Sequence, residues 1–231
     1  MNRPLAVARM QLLNKWLYLG IPGIIIASST LIAIAILAMV PSDDGEGTRM
    51  AFSGQAVMWY FLAAGVQSLS LTFPFSQAMS VSRRSFYIGT LGLFSVLALA
   101  LGVLYWLLGL VEQATNGWGV DGNIYALPWV VESAWWVQIL LYFALTILLF
   151  MFGFWFATVY RRWRTTGLVA ALVGFGLILL GAVAAASYTD SWASVGAWFM
   201  QLTPLSLSGW LLLGGVVLAA GSYGTLRRAT P

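Results

Sequence analysis

Long unbroken apolar stretches separate short polar ones along this chain. Six apolar runs stand out, at residues 16–40, 54–75, 86–111, 134–160, 167–187 and 205–226. Each holds about 20 residues or more, enough for a helix rising ~1.5 Å per residue to cross a ~30 Å hydrocarbon core. A membrane barrel would instead show short segments alternating apolar and polar positions. Runs such as Ile24-Ile25-Ile26 and Leu177-Ile178-Leu179-Leu180 do not alternate. The pattern predicts an all-α polytopic membrane protein, one transmembrane domain over residues 1–231 with six transmembrane helices. Pro22 and Gly23 predict a kink, or a join to an interfacial segment, early in the first run. That run is too long for the apolar core of a signal peptide, and no A-x-A site follows it. It is therefore read as the first span.

Charge then sorts by side. Arg3, Arg9 and Lys15 precede the first run, and Arg83 and Arg84 lie between the second and third. Arg161, Arg162 and Arg164 lie between the fourth and fifth, and Arg227 and Arg228 follow the sixth. The opposite side holds all seven acids, Asp43, Asp44, Glu46, Glu112, Asp121, Glu132 and Asp190, with Arg49 as its one basic residue. The positive-inside rule predicts cytoplasmic N- and C-termini and an integral, multi-pass plasma-membrane location. The net charge of +4 is thus a topology signal rather than a sign of nucleic-acid binding.

Composition agrees: 61% of residues are hydrophobic and 8% are charged, against about 25% charged in soluble domains. There is no Cys and no His. This removes disulfides, thiol nucleophiles, zinc–thiolate sites, and the commonest metal ligand and general base. No acidic or basic residue falls in a span core, which argues against ion-coupled transport, a self-contained pump and a voltage sensor. The polar residues in or near spans are Gln67, Ser68, Ser70, Thr72, Gln138 and Thr146. They read as helix–helix hydrogen-bonding groups, with Gln67 and Gln138 as weak candidates for lining a substrate path. No catalytic set is visible, and the single lysine, Lys15, follows no glycine-rich loop, so no P-loop is present. The chain is expected not to be an enzyme and to carry no cofactor of its own.

Several segments outside the spans have character. Residues 5–17 place Leu5, Ala8, Leu12 and Trp16 at helical spacing, with Gln11, Asn14 and Lys15 on another face. They form either an interfacial helix or an extension of the first span. In residues 188–204, Trp192, Val195, Phe199 and Leu202 recur at near-helical spacing, predicting an external amphipathic segment. Trp192 and Phe199 join the weak substrate-path candidates. Most tryptophans map to the outer side, as an interfacial belt or as a surface for an amphipathic substrate. Residues 117–128 read as an exposed external turn region, and Asp43-Asp44-Gly45-Glu46 as a solvated acidic patch. Gly174, Gly176, Gly181, Gly214, Gly215 and Ala219 predict close helix approach in the last two spans, within the bundle or across a dimer.

The basic segment 76–87 reads as a cytoplasmic turn, in which Pro74 ends or kinks the second helix and Ser76 or Ser80 caps a short helix. Its arginines set topology and meet anionic lipid. The run Ser82-Arg83-Arg84-Ser85-Phe86, with Gly89 after it, also resembles the loop after the second span in permease subunits of the type-2 ABC exporter family. The resemblance is specific to this loop and otherwise rests on six spans, cytoplasmic termini and length. It implies a permease without its own ATPase site, paired with a separate ABC ATPase subunit that carries ATP and Mg. It implies a second permease copy, identical or different, within the membrane lipid, and no nucleic acid. Ser82, Arg83, Arg84, Ser85, Phe86 and Gly89 would form the partner-coupling segment, with Phe86 anchored in an apolar pocket of the ATPase. Residues 5–17 would be the family's interfacial helix, and residues 188–204 would be re-entrant rather than merely interfacial. The expected function is ATP-driven export of a hydrophobic or amphipathic substrate, whether drug, lipid or peptide. The alternative is a stand-alone membrane immunity or sensor protein that binds a peptide or lipid without transport. A substrate-capture component of an importer is disfavoured by the lack of polar clusters in the spans.

Overall fold

The structure is a computed structural model that describes residues 3–40 and 49–228. The acidic patch Asp43, Asp44 and Glu46 lies outside the described residues. Among the described residues every regular element is helical, apart from one bridge pairing Met50 with Asn123. Helix α1 covers Arg3–Leu12, and a π-helical turn, Trp16–Gly20, leads into α2, Ile21–Met39. Helix α3, Ala56–Gln67, runs through a second π-helical turn, Ser68–Thr72, into the short α4, Phe73–Ala78. Helix α5 is Arg83–Ala114, α6 is Pro128–Val131 and α7 is Trp135–Tyr188. Helices α8, Trp192–Met200, and α9, Pro204–Arg228, complete the chain. Several of these are long and apolar enough to cross a membrane.

Helix α7 has 54 residues, which would extend about 80 Å if straight. It is broken at Arg164, whose φ of 54° and ψ of −152° are not helical. Helix α9 runs parallel to the first arm of α7. Gly214 approaches Leu148, Gly221 approaches Trp155, and Thr225 donates to Thr158. Two parallel helices need the chain carried back between them, and residues 165–203 do this.

The core is aromatic and close-packed. Phe94 and Phe150 stack with centroids 3.7 Å apart, and Phe61 and Tyr18 meet Phe94 edge-on. Backbones touch where glycines allow it: a Cβ at Gly153 would lie 2.0 Å from the Leu62 carbonyl oxygen, and one at Gly65 would lie 2.3 Å from that of Phe150. The expected close approaches in the last two spans are not where the chain uses its glycines. Gly174, Gly176, Gly181 and Gly215 face open space, and Gly214 meets only Leu148. For Gly174, Gly176 and Gly181 the reason is that residues 165–188 are exposed along nearly their whole length within this single chain.

The two ends of the bundle differ in charge. At one end Arg83 donates to the Leu226 carbonyl, and the Arg161 guanidinium lies over the Phe73 ring. At the other, Glu112 is buried and Arg49 donates to the carbonyls of Leu37, Val40 and Val120. The Arg49 cation thereby ends α2 on its last-turn carbonyls, where the helix dipole favours positive charge.

The segment 117–128 is not the exposed turn that its glycines and polar residues predict. Ile124, Tyr125, Ala126 and Leu127 are buried. The cause is Glu112, 1% exposed, whose carboxylate accepts from the backbone N–H groups of Ile124, Tyr125 and Ala126 at 3.0–3.1 Å. The Trp118 indole adds a fourth bond at 2.8 Å. Gly117, at φ 65°, makes the tight reversal, and a Cβ there would lie 2.5 Å from Gly122 backbone atoms. Folded inward, Tyr125 hydrogen-bonds Thr30, and its carbonyl accepts from Tyr142 at 2.8 Å. Burial raises the Tyr125 phenol above its ordinary pKa, keeping it neutral.

Candidate functional site

The basic end is built around the α4–α5 turn. Pro74 sits directly after the π-helical turn Ser68–Thr72, where the helix already departs from α geometry. The short helix ends at Met79 and Ser80, with Ser80 at φ 56°, and the Val81 N–H returns to the Ser76 carbonyl. Ser82 caps α5: its hydroxyl oxygen accepts from the Ser85 N–H at 3.2 Å. Ser76, expected as a possible cap, instead donates its hydroxyl to the Phe73 carbonyl.

The six candidate coupling residues separate into two groups. Ser82 and Arg84 are exposed, and Arg83 is half-buried beside the Leu226 carbonyl. Phe86 has no exposed surface and sits edge-on to Phe73, 5.2 Å between centroids. The expectation that Phe86 reaches into a partner's apolar pocket is therefore corrected, because its ring already fills this chain's own core. Gly89 is buried on the same face of α5, and Ser85 is tied into the cap. The surface this turn offers a partner consists of Ser80, Ser82 and Arg84, with the exposed Phe75 and Met79 of α4 beside them.

Helix α1 lies on α5 as a separate element, since the chain leaves helical geometry at Leu13 and Asn14. Its buried face carries Val7 and Gln11. The Gln11 amide, 3% exposed, donates to Thr90 at 2.9 Å and reaches Ser68 at 3.5 Å. Its carbonyl oxygen is buried without a partner. Ser68 opens the π-helical turn of α3, and π turns are frequent at functional sites. A cavity of about 280 Å³ lies beneath α1, lined by Gln11, Asn14, Tyr18, Gln67 and Thr72 among apolar neighbours. Neutral polar groups on an apolar wall suit an uncharged or amphipathic guest.

The four path candidates do not converge. Gln67 lines that cavity. Gln138 donates to the Ser133 and Val131 carbonyls at the start of α7. Trp192 and Phe199 are exposed on α8, where the Trp192 indole donates to Ser187. Sequence reading missed Glu112 and Gln11. Glu112 stands directly after an apolar run and before a glycine-rich segment, a signal that could have marked a loop anchor. Gln11 was expected on the polar face of residues 5–17, opposite Leu5, Leu12 and Trp16; instead its face is buried and those three are exposed, because its partners lie 57 and 79 residues away.

No family model matches the chain, and neither a curated protein nor a solved structure matches it.

Proposed function

We propose that the chain is a six-span membrane protein with cytoplasmic termini, acting as the permease subunit of an ATP-driven exporter of the type-2 ABC kind. The six spans follow if the break at Arg164 divides α7 into two crossings, which the parallel course of α9 favours. The orientation rests on the charge sorting. A separate ABC ATPase would supply ATP and Mg, and a second permease copy would complete the pathway for a hydrophobic or amphipathic substrate.

The observation that carries this reading is the α4–α5 turn. The helix continuous from Ala56 to Ala78 reverses over Met79–Ser82 into the long α5; the exposed rim of this turn presents Arg84, and its inner side is locked by Phe73 and Phe86. A partner pressing on such a turn moves two long helices as rigid levers. Arg84 is the group free to meet acidic or carbonyl acceptors on that partner.

The test is purification of the tagged full chain from its native membrane in mild detergent. A stoichiometric P-loop partner with ATP hydrolysis is expected, and Arg84→Glu should release it while leaving the fold intact. Arg84 is a better target than Arg83, which also holds the Leu226 carbonyl. A chain that purifies alone, under conditions that preserve other membrane complexes, overturns the permease reading in favour of a stand-alone immunity or sensor protein.

A further inference from the structure

The break in α7 is made by an arginine. The backbone of Arg164, at φ 54° and ψ −152°, occupies a region that is essentially reserved for glycine. A glycine would turn the chain without that strain. What glycine could not supply is the guanidinium.

That side chain lines an open cavity of about 300 Å³ together with Arg161, Tyr160 and Ser70. Such a volume is far above the ~10–15 Å³ that one water requires. Among the described residues no carboxylate lines it. The Arg161 guanidinium lies 5.4 Å from the Phe73 ring centroid, which leaves its N–H edge uncommitted. Neither Arg161 nor Arg164 makes a hydrogen bond or ion pair with any described residue. Each guanidinium offers five N–H donors in a fixed fork, a shape that matches phosphate oxygens two at a time. The Ser70 and Tyr160 hydroxyls add neutral donors. Ser70 belongs to the π-helical turn that follows α3, so the cavity joins that turn to the break in α7.

We propose that this cavity binds a phosphate-bearing anion, and that the phosphate is the headgroup of an anionic lipid. The cavity sits where an apolar helix arm ends in arginines, the depth of the headgroup layer. Next to it, residues 168–183 expose apolar side chains on all sides, Val169, Val173, Phe175 and Leu180 among them, a surface along which acyl chains can lie. A bound phosphate would bridge Arg161, in the first arm, to Arg164 at the break and steady the joint from which the exposed second arm leaves. The arm's scant burial within the chain fits a joint completed by lipid.

The test uses the full chain in neutral detergent, with phosphatidylglycerol, phosphatidylcholine and inorganic phosphate as probes, read by native mass spectrometry and by thermal unfolding. The wild type should retain phosphatidylglycerol in preference to phosphatidylcholine. Arg164→Gly should weaken that binding roughly tenfold or more, the scale of one charge-assisted bidentate contact, and should unfold at the same temperature as wild type or higher without lipid. Arg161→Gln should also weaken binding and tests the site without touching the strained residue. Arg162→Gln removes the same charge from a side chain stacked on Trp163 and should bind as wild type does. Saturable, Arg164-dependent competition by millimolar inorganic phosphate would support the phosphate site while assigning it a soluble ligand. The proposal is overturned by equal retention of phosphatidylcholine, by undiminished binding in Arg161→Gln and Arg164→Gly, or by an equal loss in Arg162→Gln.

Discussion

Replacing Glu112 with Gln removes one charge and almost no volume, and its effect can be worked out bond by bond. One carboxylate oxygen accepts from Ile124 and Ala126, and the other from Tyr125 and the Trp118 indole. A Gln can keep one pair on its carbonyl oxygen. Its amide nitrogen then faces two N–H donors, which lose their acceptor. A buried unsatisfied donor costs about 1–3 kcal/mol, so the two together cost about 2–6 kcal/mol. Some movement of the segment softens this, and ~3 kcal/mol is the working value. If the segment opens without the whole chain unfolding, that value corresponds to ~10²-fold faster amide exchange. The assay is hydrogen exchange by mass spectrometry on the full chain in detergent, following peptides across residues 117–127. Glu132→Gln, at an exposed position nearby, is the control and should change nothing. Exchange in Glu112→Gln within about threefold of wild type would refute the argument that this carboxylate holds the segment inward.

Gly153→Ala should lower the unfolding midpoint, because its Cβ would lie 2.0 Å from the Leu62 carbonyl oxygen and force α3 from α7; the overpacking cost is ~1–3 kcal/mol. Gly176→Ala, which meets open space, should stay within about 0.5 kcal/mol. Arg49→Gln should cost ~2 kcal/mol and speed exchange at the last turn of α2, since it strips the cation from the Leu37, Val40 and Val120 carbonyls; unchanged exchange there would contradict that role. Gln11→Leu and Thr90→Val, measured singly and together, should show a coupling of about 1 kcal/mol through their 2.9 Å bond. Additive losses would mean that α1 is held by its apolar face alone.

Much of the architecture was legible from the chain. The six apolar runs fall within five long apolar helices among the described residues, the fourth and fifth runs both lying in α7, with ends shifted by a few residues. Helices form near both amphipathic segments, at α1 and α8, but the faces of α1 are reversed from the expected ones: Leu5, Leu12 and Trp16 are exposed, and Val7 and Gln11 are buried. The turn within 76–87 was visible as a local pattern, but the cap is made by Ser82 rather than by Ser76 or Ser80, the residues expected to cap. The roles assigned to side chains fared less well. Phe86 has the same local sequence whether it faces a partner or the core, and only the position of Phe73 across the turn decides that it is buried. Gly65 and Gly153 carry no stronger sequence signal than Gly174 or Gly176, yet only the first pair lies where helix backbones touch.

The division has a physical basis. Transfer of a side chain from water to hydrocarbon depends mainly on that side chain and its near neighbours, so the sequence by itself determined the apolar helices and the separation of basic from acidic segments. A membrane span must also satisfy its own backbone, which makes helix the near-inevitable outcome of such a run. Loops are under no such constraint. The three amides of residues 124–126 could have bonded water, and only the arrival of Glu112 from the end of α5 makes an inward course favourable. The same holds for Arg164, whose non-helical backbone breaks α7 where no glycine or proline in the sequence marks a break. These outcomes depend on which groups lie within about 3 Å of one another after the chain has folded, and tertiary structure alone decided them.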